Sequence, residues 1–179
     1  MPASKRTTSI HVVGTDAAGL EHLAACLQNH VLTAQGVAAP RRLLAQLPGW
    51  WQQQNKDQPL PELMASDQPD ALITWLRQLE GNAVVLASGD PLWFGIGRLL
   101  LEAFPPNQLH FHPAPTSLQL AFAKLGRPWQ DADWISLHGR QPEALASRLQ
   151  KRPAALAVLT DPSRKGVEEV RQILRASGL

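Results

Sequence analysis

The chain has 179 residues, 44% of them apolar and 18% charged, a balance that suits one folded domain or two small α/β lobes and excludes intrinsic disorder. Seventeen lysines and arginines against fifteen acidic residues leave a net charge of +2, too weak and too scattered to mark a nucleic-acid surface. The single cysteine, Cys26, excludes an internal disulfide framework. No apolar run approaches the roughly 18 residues of a membrane span, and the first residues lack the apolar stretch of a signal peptide, so a cytoplasmic protein is expected.

In chain order, Ile10–Val13 reads as a short strand closed by Gly14-Thr15-Asp16. Leu20, Leu23, Ala24 and Leu27 then recur at helical spacing, which places Cys26 in an apolar helix as a small core residue. Residues 31–39 hold a second strand, and Arg41–Leu47 a brief helix ended by Pro48-Gly49. The Gln- and Pro-rich stretch Trp50–Gln68 has no period and reads as a loop or insertion. Leu72, Ile73, Leu76 and Leu79 mark the next helix.

From there the alternation is regular. Strands are expected at Ala83–Ala87, Leu109–His112, Trp134–Leu137 and Ala155–Thr160, and helices at Pro91–Phe104, Thr116–Leu125, Pro142–Leu149 and Val167–Ala176. Strands separated by helices of about ten residues imply parallel βα units and a mostly parallel sheet.

Ligands of such sheets bind beyond the carboxyl ends of the strands. Three corners there are rich in special residues: Gly14-Thr-Asp, Ser88-Gly-Asp-Pro and Pro113-Ala-Pro-Thr-Ser117. Pro91 suits the first position of a helix, with Asp90 as its N-cap. No GxxxxGK[ST] occurs, and Gly14-Thr-Asp-Ala-Ala-Gly19 has a carboxylate where a dinucleotide fold needs its second glycine. A cationic ligand without phosphate suits these corners better. His110 and His112 point to one face of their strand, but no third ligand stands at a telling spacing, so no metal is expected.

Leu86-Ala-Ser-Gly-Asp-Pro-Leu-Trp-Phe-Gly-Ile-Gly-Arg98 resembles the ASGDPxxxGIGR segment of the precorrin-6Y methylases, the C5-methylating branch of the tetrapyrrole methylases of cobalamin (vitamin B12) biosynthesis. The likeness continues at Pro115–Gly126, at Pro128-Trp-Gln-Asp-Ala-Asp-Trp-Ile-Ser-Leu-His-Gly-Arg140, at Val158–Asp161 and at Pro40-Arg-Arg-Leu-Leu44, and so covers roughly residues 10–179. It implies two α/β lobes, residues 1–112 and 113–179, forming one tetrapyrrole methylase domain with a cofactor cleft between them and an incomplete C-terminal lobe.

The resemblance further implies an S-adenosylmethionine-dependent C-methyltransferase acting at C5 of a precorrin of the precorrin-6Y or cobalt-precorrin-7 type. It implies a homodimer, and a separate decarboxylating C15-methyltransferase subunit or domain. Carried over by position, Ser88, Gly89, Asp90, Pro91, Leu92, Thr116, Ser117 and Leu137 fall where the family holds the cofactor. Gly14 lies in the loop that faces the substrate. Arg41, Arg42, Arg98 and Arg140, within matching segments, are candidates for substrate carboxylates, which suit arginine forks. His138 is the candidate to accept the ring proton, and Trp93 the tryptophan expected nearest the site. The first loop keeps only the outer glycines of the family's GxGPGG. The alternative reading is therefore a catalytically weakened homologue serving as a binding or partner subunit.

Overall fold

The computed structural model describes residues 7–54, 58–137, 143–160 and 166–178, and its chain forms two compact units, Met1–Thr116 and Ser117–Leu179.

The first unit is built on a five-stranded sheet whose pairs are all parallel. In chain order the strands are β1 (Thr7–Thr15), β2 (Gly36–Ala39), β3 (Glu62–Ala65), β4 (Gly81–Ser88) and β5 (Leu109–His112), and they lie side by side as β3-β2-β4-β1-β5. The central strands are buried on both faces, which is why Ala83-Val-Val-Leu-Ala87 reads as a continuous apolar run and not as an alternation. Side chains two apart share a face, so the strands divide into two cores. Val13, Val84 and Leu86 pack with Leu20, Val31, Leu43, Leu47, Trp50 and Trp51 on one face. Ile10, Val12, Ala83 and Val85 pack with Leu72, Leu76, Leu100 and Phe104 on the other.

The helices that cover these faces depart from the sequence expectation in three places. The segment after β1 is a 3₁₀ turn over Gly19–His22, followed only at Ala25 by the helix α1 (Ala25–Thr33), because Leu23 and Ala24 are extended (ψ 134° and 146°). Cys26 is consequently exposed on α1, where a core position was expected. Pro48-Gly49 does not end a helix. A short α2 (Arg41–Leu44) is followed by α3 (Leu47–Gln54), in which Pro48 sits in the first turn, where its missing N–H costs no hydrogen bond. Trp50 and Trp51 are therefore buried helical residues, and β3 lies in the stretch expected to be a loop. That strand is four residues long at the sheet edge, too short to show an alternation. Next comes α4 (Pro69–Gln78), as expected.

The third departure lies at Pro91–Phe104, where α5 spans only Gly97–Ala103. Residues 91–96 instead coil around the Pro91 carbonyl, which accepts the Gly97 N–H at 2.9 Å. A side chain at Gly95 or Gly97 would start 2.5 or 2.7 Å from that carbonyl oxygen. The glycines of this segment are thus a packing requirement of the coil.

The second unit holds α6 (Ser117–Leu125), β6 (Asp133–Ser136), α7 (Glu143–Leu149), β7 (Leu156–Leu159) and α8 (Gly166–Ala176). Strands β6 and β7 pair in parallel, as a βαβ crossover requires. Ile135, Leu137 and Leu145 form its core with Leu149, Leu156, Val158, Val170 and Ile173. Among the described residues no helix is long and apolar enough to cross a membrane.

Candidate functional site

The carboxyl ends of β1, β4 and β5 converge, and their loops are stitched together through backbone. The Gly89 N–H donates to the Thr15 carbonyl at 2.7 Å, and the Gly89 carbonyl accepts the Ala114 N–H at 3.3 Å. Buried Thr15 adds a side-chain bond, its hydroxyl donating to the Ala87 carbonyl at 3.1 Å. Gly89 adopts a φ of +67°, which a side chain would disfavour. Gly14 is required for a different reason: a Cβ there would strike the Gly89 carbonyl oxygen and stand 2.6 Å from the Ala114 nitrogen.

Asp90 is not a helix N-cap, because no helix starts there. Its Oδ1 accepts the Leu92 N–H at 2.9 Å in a local turn, and its carbonyl accepts the Trp93 N–H at 3.1 Å. The amide donors of Gly89, Leu92, Trp93, Gly97 and Ala114 are therefore all spent on the protein itself. Pro91 is buried under the coil, while Leu92 and Phe94 are exposed, with Trp93 edge-on to Phe94 at 5.1 Å. Ser88 ends β4, and its hydroxyl accepts a hydrogen bond from Arg42 Nη2 at 3.0 Å. Among the described residues no lysine or arginine pairs with Asp90.

The structure thus brings together Gly14, Ser88, Gly89, Asp90, Pro91 and Thr116 of the first unit. Thr116 is buried, with its Cα 3.4 Å from where a Gly89 side chain would begin. Of the two adjacent arginines, Arg42 reaches the corner, whereas Arg41 lies 3.7 Å from Asp67. Consecutive helical residues point about 100° apart, so α2 can aim only one of them there. Arg98 pairs with Glu102 one turn along α5 at 3.0 Å. In the second unit Ser117 is exposed at the start of α6, and buried Leu137 follows β6 with its N–H bonded to the Leu159 carbonyl at 2.8 Å. His138 and Arg140 lie outside the described residues.

The carboxylate of the first loop, Asp16, is satisfied within that loop. It accepts the Ala18 N–H and His22 Nδ1, each at 2.9 Å. The His22 bond is the main cause that holds its pKa below the usual aspartate value.

A convergent corner of this kind can face a small cation with the Asp90 carboxylate, the Ser88 hydroxyl and the half-buried Gly89 backbone. Five of its amide donors, those of Gly89, Leu92, Trp93, Gly97 and Ala114, are already bonded and are not offered to a phosphate.

Comparison with known proteins bears on family and fold. The family model of tetrapyrrole (corrin/porphyrin) methylases matches residues 9–179. A precorrin-6Y C(5,15)-methyltransferase [decarboxylating] of Sinorhizobium sp. is 33% identical over a 128-residue alignment that covers 65% of this chain and 30% of that protein. A cobalt-precorrin-7 C(5)-methyltransferase of Salmonella typhimurium is 30% identical over 170 residues, 93% of this chain and 78% of that protein. The chain thus spans under a third of the first relative and about four fifths of the second. Among solved structures, the methyltransferase CobJ aligns with a TM-score of 0.64 at 20% identity, covering 96% of this chain and 77% of that one. The precorrin-6Y methylase of Archaeoglobus fulgidus aligns with a TM-score of 0.62 at 20% identity, covering 92% and 78%. These two likenesses establish the fold, and the match over almost the entire sequence establishes kinship: the chain belongs to the tetrapyrrole methylase family.

Proposed function

We propose that the chain transfers a methyl group from S-adenosylmethionine to C5 of a precorrin in cobalamin biosynthesis. The observation that carries this reading is the corner after β4, which presents a carboxylate, a hydroxyl and bare glycine backbone while the amide donors of Gly89, Leu92, Trp93, Gly97 and Ala114 are committed elsewhere. Such a donor set fits a sulfonium cofactor and disfavours a phosphate one. The names of the relatives, which concern precorrin-6Y and cobalt-precorrin-7, support the substrate class.

When bound, S-adenosylmethionine supplies an electrophilic methyl on sulfur. The chain's part is to position it. Ser88, Gly89 and Asp90 would hold the cofactor by accepting its hydrogen bonds, and the Asp90 carboxylate would face its positive charge. Thr116 and buried Pro91 fix the walls of the corner, and Leu92 lends it an apolar edge. Transfer to a ring carbon needs alignment at about 3–3.5 Å more than it needs a strong acid or base. Gly14 lets the first loop approach closely. Arg42, with Arg41 and Arg98 further out, receives the acetate and propionate groups of the substrate.

A homodimer, a separate C15-methylating partner and a cytoplasmic location belong to the same proposal. Sedimentation of the purified chain tests the first of these. The function itself is tested by incubating the full chain with S-adenosylmethionine and a precorrin-6Y or cobalt-precorrin-7 preparation. Formation of S-adenosylhomocysteine, matched by one added methyl in the corrin by mass spectrometry, is the expected result. No cofactor binding, or cofactor binding without turnover on either substrate, would overturn the catalytic reading and favour the partner-subunit one.

A further inference from the structure

Away from the corner, four of the six histidines meet on one face of the sheet. Parallel pairing sets His11 of β1 beside His110 of β5, and Val13 beside His112. His11, His110 and His112 therefore share the face that α1 covers, and His30 of α1 stacks on His11 with ring centroids 3.8 Å apart. His11 Nδ1 and His112 Nε2 are 3.0 Å apart, and the other nitrogen of His11 lies 3.3 Å from the Ser9 hydroxyl. One nitrogen each from His11, His30 and His112 falls within 4.8 Å of the other two. His11, His30 and His112 are half-buried, and His110 is exposed. The sequence expectation of no metal rested on the missing third ligand. Strand pairing and α1 supply it.

Nothing in the packing asks for imidazoles here. The same face continues inward as Val13, Val31, Leu20 and Leu23, and aliphatic side chains would cover it without leaving ring nitrogens to satisfy. In a tetrahedral zinc site with Zn–N bonds of about 2.0–2.1 Å the nitrogens stand about 3.4 Å apart. Closing this trio around an ion therefore draws the nitrogens in from within 4.8 Å and turns the stacked rings of His11 and His30, now 22° from parallel, so that their lone pairs converge.

We propose that His11, His30 and His112 form a binding site for one late first-row divalent cation, zinc being the reference ion. Imidazole nitrogen selects such ions over magnesium and calcium. The Ser9 hydroxyl orients His11 by accepting its Nε2–H, which leaves Nδ1 to coordinate. Binding replaces the His11–His112 hydrogen bond: the proton on His112 Nε2 moves to Nδ1 as the tautomer changes, and no net proton is released. Three protein ligands leave a fourth position to solvent. The ion ties α1 to β1 and to the edge strand β5, and so braces the strand end from which Pro113-Ala114 enters the corner. This site stands independently of the methyl-transfer reading.

The test uses the untagged full chain, stripped with chelator, and zinc titrated against a chromophoric chelator. One zinc per chain is expected, and His11→Ala, His30→Ala and His112→Ala should each weaken it by more than ~10-fold, the lower end of the effect of losing a partner beyond the ligands themselves. His22→Ala should leave it unchanged. Absence of saturable uptake, or equal affinity in all three variants, would overturn the site. The cobalt(II)-loaded wild type gives a second reading that needs no variant. Intense visible bands of tetrahedral nitrogen coordination support the proposal, and the weak spectrum of an octahedral aquo ion contradicts it.

Discussion

Replacing Gly14 with alanine places one methyl group among three backbone segments. The new carbon would meet the Gly89 carbonyl oxygen and stand 2.6 Å from the Ala114 nitrogen, the two partners of the bond that joins the second and third loops. Neither neighbour is a side-chain tip that can swing aside. Overpacking a tight site costs ~1–3 kcal/mol, and losing that hydrogen bond adds ~1 kcal/mol. A loss of about 3 kcal/mol follows, equivalent to a fall of ~6–12 °C in Tm for a chain of this size. Gly89→Ala is the comparison. A Cβ there meets Thr116 Cα at 3.4 Å and the Pro115 carbonyl oxygen at 3.6 Å, ordinary contacts, so its cost is the left-handed backbone at +67°, ~1–2 kcal/mol. Gly49→Ala, in α3 with nothing within 4 Å, should stabilise by ~0.5–1 kcal/mol. Urea unfolding of the three variants ranks them. If Gly14→Ala costs no more than Gly89→Ala, the loops are not packed backbone to backbone and the account of the corner fails.

Arg42→Ala should raise KM for the corrin by ~10-fold or more with kcat little changed, as expected for one charged hydrogen-bonding partner. Arg41→Ala, whose guanidinium is already beside Asp67, should have the smaller effect, and equal effects would remove the special role of Arg42. Asp16 should titrate below its ordinary value of 3.8 by NMR, and His22→Ala should raise it towards that value, since the His22 bond is the largest cause of the shift. The sign follows: a depressed folded pKa adds stability above 3.8 that is lost as the pH falls through the folded value. An Asp16 titration unmoved by His22→Ala would refute that assignment. Leu145→Ala, at a fully buried position in the core of the second unit, should cost ~2–5 kcal/mol in denaturant.

The βα alternation from Ala83 onward was legible because β4 and β7 carry uninterrupted apolar runs and helices such as α6 bury one apolar stripe, here Leu118 and Phe122. Pro48-Gly49 misled because the pair is compatible with both the end and the first turn of a helix. Only the burial of Trp50 and Trp51 against Leu43 and Leu47 decides between them. The Pro91–Ile96 coil was read as helix because its glycines carry no periodic signal. Their reason is the Pro91 carbonyl, a contact visible only in three dimensions. The residues of the corner could be named from the motif, but not that its amide donors are consumed. That follows from β1, β4 and β5 ending side by side. The histidine cluster was half visible as His110 and His112, and its other members come from a strand about a hundred positions away and a helix that no spacing rule connects.

Calorimetric titration of S-adenosylmethionine into the full chain and into Gly89→Arg tests the central claim most directly, with circular dichroism confirming that the variant folds. The account predicts saturable binding to the wild type and a loss of more than ~10-fold in the variant, because a cationic side chain would occupy the oxygen-lined corner. Equal affinities, or no binding to the wild type, would contradict it.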